Sequence, residues 1–315
     1  MKTLVYGMGV IGGYLAHILC TTGHDITVLA RGKQYDILKR DGLVTRSHFS
    51  RRTVTDHPAV IDALAPGDTY DIVFTVMQYE QLWNVLPTLA ANASPLVVLV
   101  GNNMASVEME AYLHQHSTVP KTVVFGFQVS GGERVEGHYT YVALGKPGMT
   151  VGSVAPAENW QPTLKKALSG AKYTLTFQDG MDDWYKSHLA FILPAAFMCY
   201  KYDCDLRRAT KKDLEMLLDA ASEGYQLLQH LHYQISQSDL DAFTNKRTGM
   251  RIALWVMAKT KIGELAASRH ARNAVAELIA LNKAFDVIKD QANDFPMPVW
   301  DQLERFMPKT PTNKP

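Results

Sequence analysis

Cysteine is scarce in this sequence: Cys20, Cys199 and Cys204 are the three among 315 residues. An odd number without CxxC spacing excludes a zinc ribbon and a disulfide framework. Each thiol lies in or beside an apolar helical pattern, which fits a reducing, cytoplasmic compartment. Long hydrophobic runs are lacking as well. The longest, from Leu189 to Tyr200, is about twelve residues and contains Pro194, whereas a spanning helix needs roughly 20, so no membrane passage is expected. The opening Lys2-Thr3-Leu4-Val5-Tyr6 runs straight into glycines, without the apolar region and small-residue cleavage site of a signal peptide. Neither sign of charge dominates: 32 Lys and Arg against 31 Asp and Glu give a formal net charge of +1. No global field then draws the chain to nucleic acid or an anionic membrane, and any anionic ligand must be held locally. HExxH, CxxC and GxSxG signatures are absent. His114-Gln115-His116 and His230-Leu231-His232 have a spacing that turns the rings apart on a helix, so no metal is expected.

What is present is an ordinary globular composition, 47% hydrophobic and 20% charged, with a mean hydropathy of -0.11 and a length for about two domains of roughly 150 residues. In the first half, expected strands at 4–6, 26–30, 71–76, 96–100 and 122–127 alternate with expected helices at 10–21, 35–40, 79–91 and 106–116. Apolar strands separated by helix-period segments predict a parallel sheet with right-handed crossovers. From Gln128 to about Ser153 glycines surround alternating residues such as Tyr139, Tyr141 and Val142, which reads as antiparallel additions to that sheet. Beyond Asp179-Gly180 the apolar residues recur at three- and four-residue steps, predicting helices at 181–202, 211–232, 251–260 and 271–292. Trp255, Met250 and Met257 are expected in their core, and Arg207, Arg208, Lys211 and Lys212 on a solvated helix start. The expected division is residues 1–179, 180–307 and a loose tail at 308–315.

One motif carries chemistry. Gly7-Met8-Gly9-Val10-Ile11-Gly12 follows a strand pattern directly and opens a helix, the context the dinucleotide fingerprint requires. Gly7 permits a tight turn, Gly9 lets the backbone approach a pyrophosphate at the positive helix end, and Gly12 lets helix and strand pack closely. At the end of the second strand, where an NAD enzyme places an Asp or Glu on the ribose, the chain reads Ala30-Arg31-Gly32-Lys33. Arginine cannot accept a hydrogen bond from a 2'-hydroxyl but pairs well with a 2'-phosphate, so NADP(H) is expected. The fold class follows: α/β, an N-terminal Rossmann-type doubly wound sheet, then an all-α C-terminal domain.

With this opening, the loop Gly101-Asn102-Asn103-Met104, the run Asp183-Trp184-Tyr185-Lys186 at the start of the helical half, and Glu277 with Asn282 near its end, the sequence resembles the ketopantoate reductase (2-dehydropantoate 2-reductase) family over most of its length. The resemblance implies that Asn102 contacts nicotinamide and substrate, that Lys186 is the general acid and that Glu277 lies near both. The chemistry suits those types: hydride transfer to a ketone builds charge on its oxygen, which a lysine can stabilise and then protonate. Asn102 also follows a strand at its carboxyl end, where open α/β sheets bind ligands, although a turn asparagine is the plain alternative. There are departures. Where the family has a lysine after the fourth strand, this chain has Met77 in Val76-Met77-Gln78-Tyr79, a position expected to border the cofactor. Ala190 replaces an asparagine four residues past Lys186, and no serine-rich substrate motif stands between Arg247 and Glu277. The expectation is an NADPH-dependent reductase of a small 2-oxo acid or related ketone. Its alternatives are a reductase of an imine or larger keto compound and a non-catalytic NADPH-binding or sensing protein. The partner is a small-molecule substrate, and pairing of the helical half into a homodimer stays open.

Overall fold

The structure, a computed structural model, describes residues 1–142, 147–157 and 159–310. It divides into two compact units, Met1–Met181 and the remainder from Asp182.

The first unit runs β1 (Lys2–Tyr6), α1 (Val10–Cys20), β2 (Asp25–Leu29), α2 (Lys33–Asp41), β3 (Leu43–Ser47), β4 (Thr53–Asp56), β5 (Ala59–Ile61), β6 (Ile72–Val76), α3 (Tyr79–Ala91), β7 (Leu96–Val100), α4 (Ser106–His116), β8 (Thr122–Gln128), β9 (Gly131–Val135), β10 (His138–Val142), β11 (Gly148–Gly152), α5 (Trp160–Ala167) and β12 (Thr174–Phe177). Its main sheet has the order β12-β11-β8-β7-β6-β1-β2-β5. Strands β6 and β7, Ile-Val-Phe-Thr-Val and Leu-Val-Val-Leu-Val, are buried at every position, as unbroken apolar runs must be when both faces of a parallel sheet are covered. Because β1 pairs with β2 on one side and β6 on the other, Tyr6 opposite both Leu29 and Thr75, the winding reverses at β1. The loops after β1 and β6 therefore flank the crevice where such sheets take ligands.

The segment 128–153 corrects the expectation of antiparallel additions to that sheet. Only β11 joins it, antiparallel to β8 with Thr150 opposite Phe127. Strands β9 and β10 instead pair with β3 and β4 in a separate four-stranded sheet, β4-β3-β10-β9. The alternating tyrosines of β10 explain this: Tyr139 is buried and Tyr141 stacks on Tyr14 of α1 at 4.1 Å, so β10 covers α1. Residues 143–146 of the expected antiparallel stretch lie outside the described residues.

The second unit is helical: α6 (Met181–Lys201), a 3-10 turn (Leu206–Arg208), α7 (Lys211–His230), α8 (Gln237–Phe243), α9 (Arg247–Lys259), α10 (Lys261–Gly263), a π-helical turn (Glu264–Ser268), α11 (Arg269–Asn273), α12 (Val275–Gln291) and α13 (Pro298–Glu304). Thr210 and Asp213 form a reciprocal capping box at the start of α7, which satisfies two orphan donors. The core centres on Trp300, fully buried, stacked on Phe285 at 4.7 Å and meeting Phe197 edge-on at 5.6 Å. Two expectations are corrected. The helix expected over 271–292 breaks at Ala274. Trp255 is not core: it is 37% exposed, lying between the ammonium groups of Lys211 and Lys259 at 5.7 and 4.8 Å from its ring, so its apolar face is covered by cations instead of packing. Among the described residues no helix is long and apolar enough to cross a membrane. Residues 311–315 of the expected tail lie outside the described residues.

Candidate active site

Three glycines shape the loop between β1 and α1, each for a different steric reason. Gly7 has φ +107, and a Cβ there would lie 2.3 Å from the Val76 carbonyl oxygen. A Cβ on Gly12 would lie 2.0 Å from the oxygen of Gly7, so these two admit no side chain. Gly9 differs: a Cβ there meets no heavy atom within 4 Å. It caps α1 without a side-chain acceptor, and the first turn holds no acidic residue. The N-terminus of α1 therefore has no side-chain cap or carboxylate of its own, and its orphan N–H groups and positive dipole end are groups that could hold an anion.

The loop is gripped from the second sheet. The Met8 carbonyl accepts from Arg134 Nη1 at 2.8 Å and from the Tyr139 hydroxyl at 3.1 Å. Gln34 Nε2 donates to that hydroxyl at 2.8 Å, and Gln128 Nε2 donates to the Ile11 carbonyl at 3.3 Å. Burial pushes the Tyr139 phenol up to about 12, against the opposing pull of Arg134. Arg134 escaped the sequence reading because it stands 126 residues from Met8 in a glycine-rich strand with no motif around it.

Arg31 follows β2 and is exposed. Its Nη2 donates to the Tyr6 hydroxyl at 2.6 Å, and its guanidinium lies 5.7 Å from the Tyr6 ring centroid. Burial raises the Tyr6 phenol above its usual range, with Arg31 pulling the other way. Met77, just beyond β6, donates its N–H to the Val100 carbonyl at 3.2 Å, and its Cγ lies 3.2 Å from where a Gly7 Cβ would be. After β7 the paired asparagines divide their work. The Asn103 side-chain oxygen accepts from the Ala105 N–H at 2.8 Å, and its Nδ2 meets the Met109 sulfur at 3.3 Å, which is turn chemistry. Asn102 is only 7% exposed, and its side-chain oxygen has no hydrogen-bond partner. A buried acceptor left so is costly unless a ligand supplies a donor. The first unit thus gathers the glycine loop, Met77 and Asn102 at the carboxyl ends of adjacent strands, with Arg31 at the end of β2.

In the second unit, Lys186 on α6 is 7% exposed. Its ammonium donates to Asp182 one turn earlier and lies 5.3 Å from the Tyr233 ring centroid. Beside it Trp184 stacks on His188 at 5.1 Å; burial, with a smaller push from His270, draws His188 down to about 4. Glu277, in the first turn of α12, is buried. Asn282, four and five residues on from Leu278 and Glu277, donates to Glu304 at 2.5 Å, which ties α12 to α13. Ala190 has a packing cause: it is fully buried, and its Cβ lies 3.2 Å from the Cβ that Gly224 of α7 lacks. Among the described residues no group of three or more His, Cys, Asp or Glu could hold a metal ion.

Comparison with known proteins bears on this arrangement. Residues 3–156 match the family model described as ketopantoate reductase PanE/ApbA. An uncharacterised oxidoreductase of Bacillus subtilis (strain 168), YkpB, is 36% identical over 86 residues; the match spans 27% of this chain and 27% of that relative. Among solved structures, a 2-dehydropantoate 2-reductase from Geobacter metallireducens superposes with a TM-score of 0.73 at 14% identity, covering 98% of this chain and 99% of that one. D-mandelate dehydrogenase with NADH and anilino(oxo)acetate gives 0.72 at 13% identity, covering 98% and 97%. A probable 2-dehydropantoate 2-reductase from Bacillus subtilis gives 0.70 at 11%, covering 97% and 100%. At these identities the structural likeness is one of fold.

Proposed function

We propose, for a chain whose residues 3–156 carry the ketopantoate reductase PanE/ApbA domain, that it is an NADPH-dependent reductase of a small 2-oxo acid or related ketone. The observation that carries this reading is the open space at Gly9 in front of the α1 N-terminus, with the unpartnered Asn102 oxygen on the same side of the sheet. A dinucleotide fits these groups: its phosphates meet the N–H groups after Gly9, its 2'-phosphate meets Arg31, and an amide N–H answers Asn102. When bound, the nicotinamide supplies the hydride. The protein's part is to position and to protonate. Met8, Val10 and Ile11 contribute backbone and Met77 lines the loop. Asn102 orients the ring through its amide. Lys186 holds a proton at Nζ for the carbonyl oxygen that becomes an alcohol, with Asp182 and Tyr233 keeping the ammonium in place; Glu277 is assigned to the substrate side.

The substrate class draws support from D-mandelate dehydrogenase, a fold neighbour whose structure holds anilino(oxo)acetate, a carboxylate with an amide carbonyl at C2, together with NADH. A second reading, an imine or larger keto compound, is favoured by Met77 and by Ala190, buried beside Gly224, which leave a hydrophilic substrate short of a cation and an amide. NADPH absorbance followed across 2-oxo acids, ketopantoate and cyclic imines tests both. Oxidation with any 2-oxo acid supports the first reading. Efficiency on ketopantoate of about 10⁴ M⁻¹s⁻¹ or more removes the second, and no oxidation with any carbonyl or imine removes the enzyme reading.

A further inference from the structure

The glycine fingerprint names one cationic residue, Arg31, yet a second arginine stands at the loop. We infer that Arg134 holds a phosphate of the bound dinucleotide, an inference that rests on the cofactor reading above. Nη1 of Arg134 donates to the Met8 carbonyl at 2.8 Å, between Gly7 and Gly9, and the Tyr139 hydroxyl donates to the same carbonyl at 3.1 Å. That carbonyl is a neutral partner. Elsewhere on the surface Arg40, Arg207 and Arg251 lie on the carboxylates of Asp41, Asp205 and Glu215, so their charge is met within the protein. Arg134 is exposed, and a guanidinium has five N–H donors, of which the Met8 carbonyl engages one. A full positive charge beside the positive end of α1 adds repulsion unless an anion comes between them. The carbonyl that anchors it is also held by the buried Tyr139 hydroxyl, which Gln34 Nε2 meets at 2.8 Å, so the anchor of the fork is fixed. A planar fork next to open backbone N–H groups is the geometry that phosphate takes in two parallel bonds.

Either the pyrophosphate or a 2'-phosphate could supply that oxygen pair, and the test separates them. Full-length wild type, Arg134→Met and Arg134→Lys are titrated with NADPH and with NADH at low and at high salt, and the ligand-free proteins are melted. Arg134→Met is expected to bind about 10- to 150-fold more weakly, the range of a charge-assisted hydrogen bond, with a shallower salt dependence than wild type, and Arg134→Lys to recover part of the affinity. A loss shared by both dinucleotides assigns the pyrophosphate, and a loss confined to NADPH assigns the 2'-phosphate. Wild-type affinity in Arg134→Met, or a weakening that leaves the salt dependence unchanged and that lysine does not relieve, overturns the inference and reduces Arg134 to a brace for the loop. If wild type itself binds neither dinucleotide, the cofactor reading falls and Arg134 with it.

Discussion

The cations at the glycine loop and the cation on α6 are tethered in opposite ways. Arg31 and Arg134 are exposed and rest on neutral oxygens, the Tyr6 phenol and the Met8 carbonyl. Lys186 is buried and rests on the carboxylate of Asp182. A cation on a neutral acceptor keeps its charge for an incoming anion. A cation in a buried ion pair has its charge cancelled locally, and what it offers is a proton at a fixed place. The first unit is therefore read as holding charge for binding, and the second as holding a proton for chemistry.

The widest break in that contrast would come from Lys186→Ala. Turnover is expected to fall by about 10² to 10⁴ while NADPH affinity stays near wild type, and Lys186→Arg should rescue poorly because guanidinium hardly releases its proton. Single-turnover kinetics with a separate binding titration decides it. Wild-type turnover in the alanine variant would leave the glycine loop explained and move the proton donor to another residue.

The glycines sharpen the first half of the comparison. Gly12→Ala puts a Cβ 2.0 Å from the Gly7 oxygen and should cost about 2 to 4 kcal/mol of stability. Gly9→Ala meets nothing, and its backbone at φ -76 suits alanine, so thermal stability should hold while dinucleotide affinity drops. Melting curves with and without NADPH separate the two. Equal melting temperatures of the two variants would remove the steric distinction, and Gly9→Ala binding like wild type would mean that the open space is not the phosphate site.

Arg31→Ala tests whether exposed charge is selective. About 1.5 to 3 kcal/mol of NADPH binding, or 10- to 150-fold, should disappear, with NADH little affected. Equal loss for both cofactors would move Arg31 away from the 2'-phosphate.

The smallest effect lies within the second unit. Burial, reinforced by Glu304 and opposed by Lys289, raises Asp286 from 3.8 to about 6. The folded state therefore binds more protons than the unfolded one between about pH 4 and 6, and stability falls as pH rises through that window. Because Asp286 remains partly exposed, Asp286→Asn should stabilise by only about 1 kcal/mol at pH 7 and by nothing at pH 4. Denaturant melts at both values check it, and a gain at pH 4 equal to that at pH 7 would refute the sign.

Legibility varied with how local the cause was. The glycine loop, Arg31 and the strand–helix alternation could be read because each rests on neighbours in sequence: a turn after an apolar run, a helix opening on glycine, a charged residue at a strand end. Strands β3 and β4 were not anticipated, because Leu43–Ser47 and Thr53–Asp56 are half-exposed and carry no apolar run; they are strands because β10 pairs with β3 at Tyr139 and Thr45. The same long-range pairing brings Arg134 to Met8. Trp255 went astray in the opposite direction, since helical periodicity cannot tell a core position from one shielded by lysines.

The sequence alone determined the alternating first half, the helical second half and the glycine turn that opens α1, since periodicity, glycine sterics and helix-end polarity act within a few residues. Tertiary structure decided what lies beside that loop. It set Arg134 and Tyr139 on the Met8 carbonyl, left Asn102 unpartnered while Asn103 made the turn, and closed α7 on Ala190 through Gly224. The contacts of Arg134, Tyr139 and Ala190 depend on which strand or helix becomes a neighbour, and that choice is made by burying apolar faces far apart in sequence, 126 residues for Arg134 and Met8, where no local signal reaches.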